Sequence, residues 1–423
     1  MTLLQITSLL IVLAGAFGSI NYLFLKLPSA IGILIVSLIA SLAIIGMDSI
    51  WPVMSVEETI RAQVTAIDFS DALLEGMLGM LLFAGALHVK TSDLRGEWRV
   101  VFLMATLGVA LSTTIVGVGF SWLTGMPLLI ALTFGALISS TDPVAVLGVL
   151  RQASLRKSLE TKIAGESLFN DGVGYVVFLV LSGLAFAATG HDDGHATSEA
   201  GPVAAAAQLF FQEAVGGAAL GLILGWLTFR LMRRIDDYSL EVLLTLGLAF
   251  GGYELAVALH VSAPIMAVVA GLLIGDVGTK FGMSAETRHY VEAFWKMVDE
   301  ILNAVLFLMI GFEVFAVTFD MQAVLAGLMA IVLALVARFF AVAVPVTLLK
   351  PFRSFSKGVI PIMTWGGLKG GISVALALSL PDGEWKSLIL TATYIVVVFS
   401  IIVQGLTVAP LATRLGREPE LDV

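Results

Sequence analysis

Thirteen apolar segments, each long enough to cross a bilayer as a helix, follow one another along these 423 residues. They centre near residues 15, 39, 80, 111, 139, 174, 217, 250, 270, 303, 335, 369 and 399. Runs of that length satisfy their own backbone hydrogen bonds in lipid only as helices. The expected fold is therefore an all-α polytopic membrane protein of about 13 transmembrane helices. The chain is 58% hydrophobic and 13% charged, roughly half the charged share of a soluble protein. With no cysteine, disulfides, thiolate zinc sites and cysteine nucleophiles are all excluded. A net charge of -9 gives no basic surface for nucleic acid. The first run, Leu3 to Leu25, is followed by no small-residue cleavage site and reads as a retained helix.

The connecting charges alternate in sign. Lys26, then Lys90, Arg95 and Arg99, follow segments 1 and 3. Arg151, Arg156, Lys157 and Lys162 follow segment 5; Arg230, Arg233 and Arg234 follow segment 7. Lys350, Arg353 and Lys357 follow segment 11, and Arg414 and Arg417 close the chain. The other ends are acidic: Asp48, Glu57 and Glu58; His191, Asp192, Asp193 and Glu199; Asp320; Asp382 and Glu384. Under the positive-inside rule the N-terminus lies outside and the C-terminus in the cytoplasm. No hydrophilic stretch is long enough for a soluble domain, and no Gly-rich loop ends in Gly-Lys-Ser/Thr, which argues against an ATP-driven pump.

Polar groups at membrane depth narrow the function. Gly165-Glu166-Ser167-Leu168-Phe169-Asn170-Asp171-Gly172 lies inside segment 6. An ionised side chain there is costly, so Asp171 should line a cavity or pathway. Glu166 and Asn170 share a helix face, with Asp171 turned about 100° from Asn170. Segment 5 carries Ser139-Ser140-Thr141-Asp142-Pro143 at its centre, where proline should open the backbone ladder. Thr141 is expected to offer a backbone oxygen to an ion. Asp142 is expected mainly to cap a new half-helix, and is a further candidate ligand.

Segment 12 contains Trp365-Gly366-Gly367-Leu368-Lys369-Gly370-Gly371. Such a glycine run will not hold a regular helix, and Lys369 can neutralise carbonyl ends at the break. Broken segments 5 and 12 lie seven spans apart and so run in opposite directions. That is the pattern of two inverted repeats, segments 1–6 and 8–13, whose broken helices cross at mid-membrane. Arg338, deep in segment 11, must find a carboxylate. Glu166 is the expected partner, leaving Asp171 free. Pairing Arg338 with Asp171 instead would leave the other carboxylates without a cation.

Other polar residues weigh less. Glu75 and Glu254 read as funnel or boundary residues, and Glu313 as the end of segment 10. His88 and His260 read as interfacial histidines. Asp299 and Glu300 fit either a cytoplasmic vestibule or a solvated helix end.

The ordered motifs at Ser140–Pro143, Gly165–Gly172, Arg338 and Trp365–Gly371 resemble those of NhaP/NHE-type monovalent cation:proton antiporters. The resemblance covers essentially the whole membrane region. The Asn170-Asp171 pair resembles the electroneutral branch; electrogenic relatives of the NhaA type carry two adjacent aspartates. The resemblance implies Asp171 as cation and proton carrier, with Ser167 and the Thr141 carbonyl as ion ligands. It implies Asn170 as stabiliser of the crossed helices and Glu166–Arg338 as an intramembrane ion pair. It also implies a homodimer in the cell (plasma or inner) membrane. Lys369 departs from the family's usual arginine, which keeps the charge and loses the fork-like hydrogen bonding. For the segment-3 acidic ligand of some relatives, Glu75 is the nearest carboxylate, beside Leu82–His88.

The implied organisation is a scaffold of helices 1–3 (residues 1–98), core helices 4–6 (99–188), linker helix 7 with scaffold helices 8–10 (189–320), core helices 11–13 (321–412) and a short tail (413–423). One carboxylate that holds a proton or a hard cation, never both, suffices for exchange. A bare carboxylate would cross only at a cost of several kcal/mol, so loaded forms alone should translocate. The expected function is one-for-one exchange of cytoplasmic Na⁺ or Li⁺ for external H⁺, with no cofactor and no enzymatic reaction. Potassium/proton exchange on the same fold is the first alternative. A gated cation channel fits a single buried aspartate less well, and no motif supports a membrane-embedded enzyme.

Overall fold

A computed structural model describes residues 3–50, 72–143, 146, 157–186, 202–317, 320–355 and 358–415. Glu57, Glu58, Arg151, Arg156, His191, Asp192, Asp193, Glu199, Lys357 and Arg417 lie outside these residues, as does the Glu75 side chain. So does segment 5 beyond Pro143, Val146 apart.

Every described element is helical, and every expected segment centre falls on a helix or at the end of one, except 369, which lies in the break between two short helices. The order is α1 (Leu4–Leu25), α2 (Ser29–Ile50), α3 (Leu78–His88), α4 (Thr91–Thr124), α5 (Leu128–Ser139), α6 (Lys157–Phe186) and α7 (Pro202–Met232). Then come α8 (Tyr238–Ala258), α9 (Ala263–Phe281), α10 (Ala285–Phe312), α11 (Met321–Leu349), the short pair α12 (Val359–Trp365) and α13 (Gly371–Leu378), and α14 (Lys386–Leu415). Among the described residues nine helices are long and apolar enough to cross a membrane, and α3 and α5 are shorter apolar helices.

Local chemistry sets the helix ends. Gly125 takes φ +75° after α4, its amide bonding Ser121 O at 2.9 Å, and Pro127 precedes α5. The Asp237 side chain caps α8 by accepting from Ser239 N and Leu240 N, and Ser284 with Thr287 forms a capping box on α10. α5 stops at Ser139, where Ser140 turns extended (ψ 148°) ahead of Pro143. α12 and α13 are separated by Gly366–Gly370.

The helices pack in two groups. α4, α5, α6, α11, α13 and α14 pack on one another, while α3, α7, α8, α9 and α10 form a second group that α1 and α2 join through α10. Small residues let the backbones close. A Cβ on Gly117 would lie 2.7 Å from Leu132 Cα, and one on Gly135 would collide with Thr113 O, so α4 and α5 touch backbone to backbone. α6 touches α3, α7 and α9, and α13 touches α10, so these helices carry the seam between the groups.

Lys162, expected as a connecting charge, is in fact inside. Glu97, in the first turns of α4, accepts from Ser158 Oγ (2.8 Å) and from Arg353 (2.6 Å), with Lys162 Nζ 3.4 Å away. Lys162 and Glu97 are both buried. The charged stem of α6 is thereby tied to α4 and to the chain following α11.

Candidate functional site

The breaks in segments 5 and 12 meet at one place, and residues of α6 close it. Where α5 ends, its last carbonyls lack intrahelical donors. Lys369 supplies them: its Nζ donates to Ser139 O and Ser140 O, both at 3.1 Å. The lysine neutralises the end of the opposite half-helix rather than its own, and the short ammonium suffices for two carbonyls. The crossing is pinned by Asp142 N donating to Leu368 O (2.8 Å), Ser373 Oγ to Leu137 O (2.7 Å) and Lys369 N to Ser400 Oγ (2.8 Å).

Asn170 holds the open strand of segment 5. Its Oδ1 accepts from Thr141 N at 3.2 Å and its Nδ2 donates to Thr141 Oγ1 at 2.8 Å. Ser167 Oγ lies 2.9 Å from the same Thr141 hydroxyl. Both amide atoms of Asn170 are thus turned onto Thr141, and the next residue, Asp171, points elsewhere.

Arg338 and Glu166 form a fork. Arg338 Nη2 reaches Glu166 Oε2 at 2.7 Å and Nη1 pairs with Oε1, while Nε donates to Met363 O at 3.2 Å. Gly367 makes room for this: a Cβ there would collide with Arg338 Nε. The alternative pairing, Arg338 with Asp171, does not occur.

Asp171 is 5% exposed, and among the described residues its Oδ1 is buried with no hydrogen-bond partner. It lines a cavity of about 660 Å³ together with Thr141, Asp142, Asp299, Glu300 and Asn303. The cavity runs on to Pro28, His88 and Lys296, at the ends of segments that carry Lys26 and Lys90. A carboxylate, hydroxyls and opened backbone in a water-accessible pocket form an oxygen-rich site suited to a small hard cation or a proton.

Asn303 was not singled out by sequence reasoning. Its Nδ2 donates to Asp299 O (2.8 Å) and Oδ1 (2.9 Å), presenting a polar face of α10 to the cavity. The i, i+4 spacing of Asp299 and Asn303 in an apolar helix was the available signal. Ser373 and Ser400 had none, since their partners lie on other helices. Glu254 and His260 are exposed and away from the cavity; Glu313 is buried at the end of α10.

A family model described as "Sodium/hydrogen exchanger, transmembrane" matches residues 8–414. The chain is 45% identical, over 99% of both lengths, to a protein of Pseudomonas aeruginosa named Na(+)/H(+) antiporter NhaP. It is 36% identical, over 93% of both, to the Na(+)/H(+) antiporter NhaH of Halobacillus dabanensis. Among solved structures, the sodium proton antiporter MjNhaP1 of Methanocaldococcus jannaschii at pH 8 superposes with a TM-score of 0.75 at 19% identity, covering 98% of this chain and 99% of that one. That likeness shows a shared fold.

Proposed function

We propose that this chain, which belongs to the family of transmembrane sodium/hydrogen exchangers, moves Na⁺ out of the cytoplasm and H⁺ in, with Asp171 as the shared carrier. The observation that carries the reading is the Asp171 carboxylate. It is buried at the cavity, with Oδ1 unpartnered among the described residues, while Glu166, Arg338 and Lys369 around it are already engaged. A free carboxylate in such a place is a binding site by default.

Thr141 and Ser167 complete the ion's oxygen shell, and Asn170 keeps Thr141 in position for it. Asp142, also at the cavity, adds negative field or a further ligand. Na⁺ entering from the cytoplasmic side displaces the proton on Asp171. The loaded bundle of α4–α6 and α11–α14 then shifts against the remaining helices, and the ion leaves outside as a proton takes its place. The empty charged form stays put because a bare carboxylate in the seam would cost several kcal/mol. One carrier with a neutral neighbour, Asn170, gives one-for-one exchange. Li⁺, equally hard, is accepted too.

The test is proton flux in everted vesicles on addition of Na⁺, Li⁺ or K⁺, for wild type and Asp171→Asn. Wild-type alkalinisation by Na⁺ and Li⁺ that disappears in the variant is the expected result. A response to K⁺ alone would change the substrate, and flux persisting in Asp171→Asn would remove Asp171 as carrier.

A further inference from the structure

Glu313 stands at the far end of α10 from the cavity mouth and has no part in the exchange described above. α10 ends at Phe312, and a tight turn, Glu313–Phe315, carries the chain onward. Leu306 lines the cavity, and seven residues of helix place Glu313 roughly 10 Å beyond it along the axis. Glu313 is only 4% exposed, and among the described residues its carboxylate has no ion pair and no side-chain hydrogen bond. Near enough to feel its charge is Tyr394 of α14, also buried, whose hydroxyl lacks a hydrogen-bond partner among the described residues. Val314 and Phe315 beside Glu313 are buried in the apolar core. On the remaining side α2 packs closely, Ser41 Oγ donating to Gly311 O at 3.1 Å.

A structural role accounts poorly for this pair. An unpaired carboxylate in a residue so nearly buried is costly, and buried polar groups that serve only the fold are satisfied, which the Tyr394 hydroxyl is not among the described residues. The position suggests the reason. α10 and α2 belong to one packing group and α14 to the other, so Glu313 stands on one side of the seam between the groups and Tyr394 on the other. Alternating access requires this seam to part when the cavity closes.

We propose that Glu313 is a second, transient ligand site on the outward path, taking Na⁺ released by Asp171 and handing protons inward, with Tyr394 as the wall that shuts the path. The inference rests on the exchange reading given above. When the seam parts, water enters between Glu313 and Asp171. The proton on the Glu313 carboxyl passes through that water to the Asp171 carboxylate, and Glu313 takes another from the external solution. Outgoing Na⁺ exchanges hydration water for Glu313 oxygens before reaching bulk.

The experiment compares right-side-out and everted vesicles. In Glu313→Gln the KM for Na⁺ at the outer face is expected to rise roughly tenfold, with the cytoplasmic-face KM unchanged and Glu313→Asp restoring most of the loss. The chain has no native cysteine, so Tyr394→Cys can be probed alone with a membrane-impermeant maleimide. Labelling from the outer face only is expected. Equal KM changes at both faces, no change at either, or a Tyr394→Cys thiol sealed from outside would each overturn the proposal. If Glu313→Gln fails to reach the membrane, the labelling decides. Wild-type vesicles without any Na⁺ response would overturn the exchange reading instead. Exchange that needs Asp171 yet ignores Glu313→Gln would remove only this inference.

Discussion

Two oxygens of Glu166 are taken by two nitrogens of Arg338, and the ammonium of Lys369 is taken by two carbonyls of α5. The positive charges at the crossing are therefore committed before any ion arrives, which leaves Asp171 to the cavity. Removing one member of the buried fork strands the other. Arg338→Met is expected to cost about 3–5 kcal/mol, seen as a lower thermal unfolding midpoint in detergent. Glu166→Gln with Arg338→Met should lose much less, because no charge is then left unpaired. At position 369 the requirement is charge near two carbonyls. Lys369→Met should abolish Na⁺-driven flux, and Lys369→Arg should retain it in the same assay.

The two breaks give the elements their roles, and Asn170 is the bolt between α6 and the opened end of α5. Asn170→Ala forfeits both bonds and exposes the Thr141 amide, at about 1–3 kcal/mol for an unsatisfied buried group. The expected kinetic sign is a raised Na⁺ KM in vesicles at normal expression. The positions of both breaks were legible in the sequence, from Pro143 and from Gly366–Gly371, because backbone chemistry is local. The Glu166–Arg338 fork was legible by elimination, since so few charges lie at that depth. What Lys369 touches was not legible: it reaches residues 230 and 229 positions away, and nothing local encodes that. Burial of Glu97 and Lys162, and their tie to the half-buried Arg353, was not legible for the same reason. Each alone resembles an ordinary interfacial charge, and only the tertiary packing brings them together.

Over the whole molecule, the cavity and the seam between the packing groups divide the helices into two bodies, and transport as proposed requires them to move. Gly85 of α3 and Leu168 of α6 face each other across this division, a Cβ on Gly85 lying 3.9 Å from Leu168 Cδ1. In this cysteine-free chain, Gly85→Cys with Leu168→Cys should cross-link on oxidation. Na⁺-driven proton flux should then stop, and return on reduction; undiminished flux in the fully cross-linked protein would mean the two helices do not separate. The commitment of Lys369 to the carbonyls of α5 has one more consequence. Within the moving body of the proposed cycle only Asp171 changes its occupant, and it always carries one proton or one Na⁺, so that body bears the same net charge on both strokes. A transmembrane voltage then does equal and opposite work in the two directions. Clamping the potential at zero or at 100 mV, where one uncompensated charge would be worth about 2.3 kcal/mol, should leave the final Na⁺ ratio set by the pH difference alone. A cell whose membrane has lost its polarisation could still expel sodium with whatever acidity remains outside.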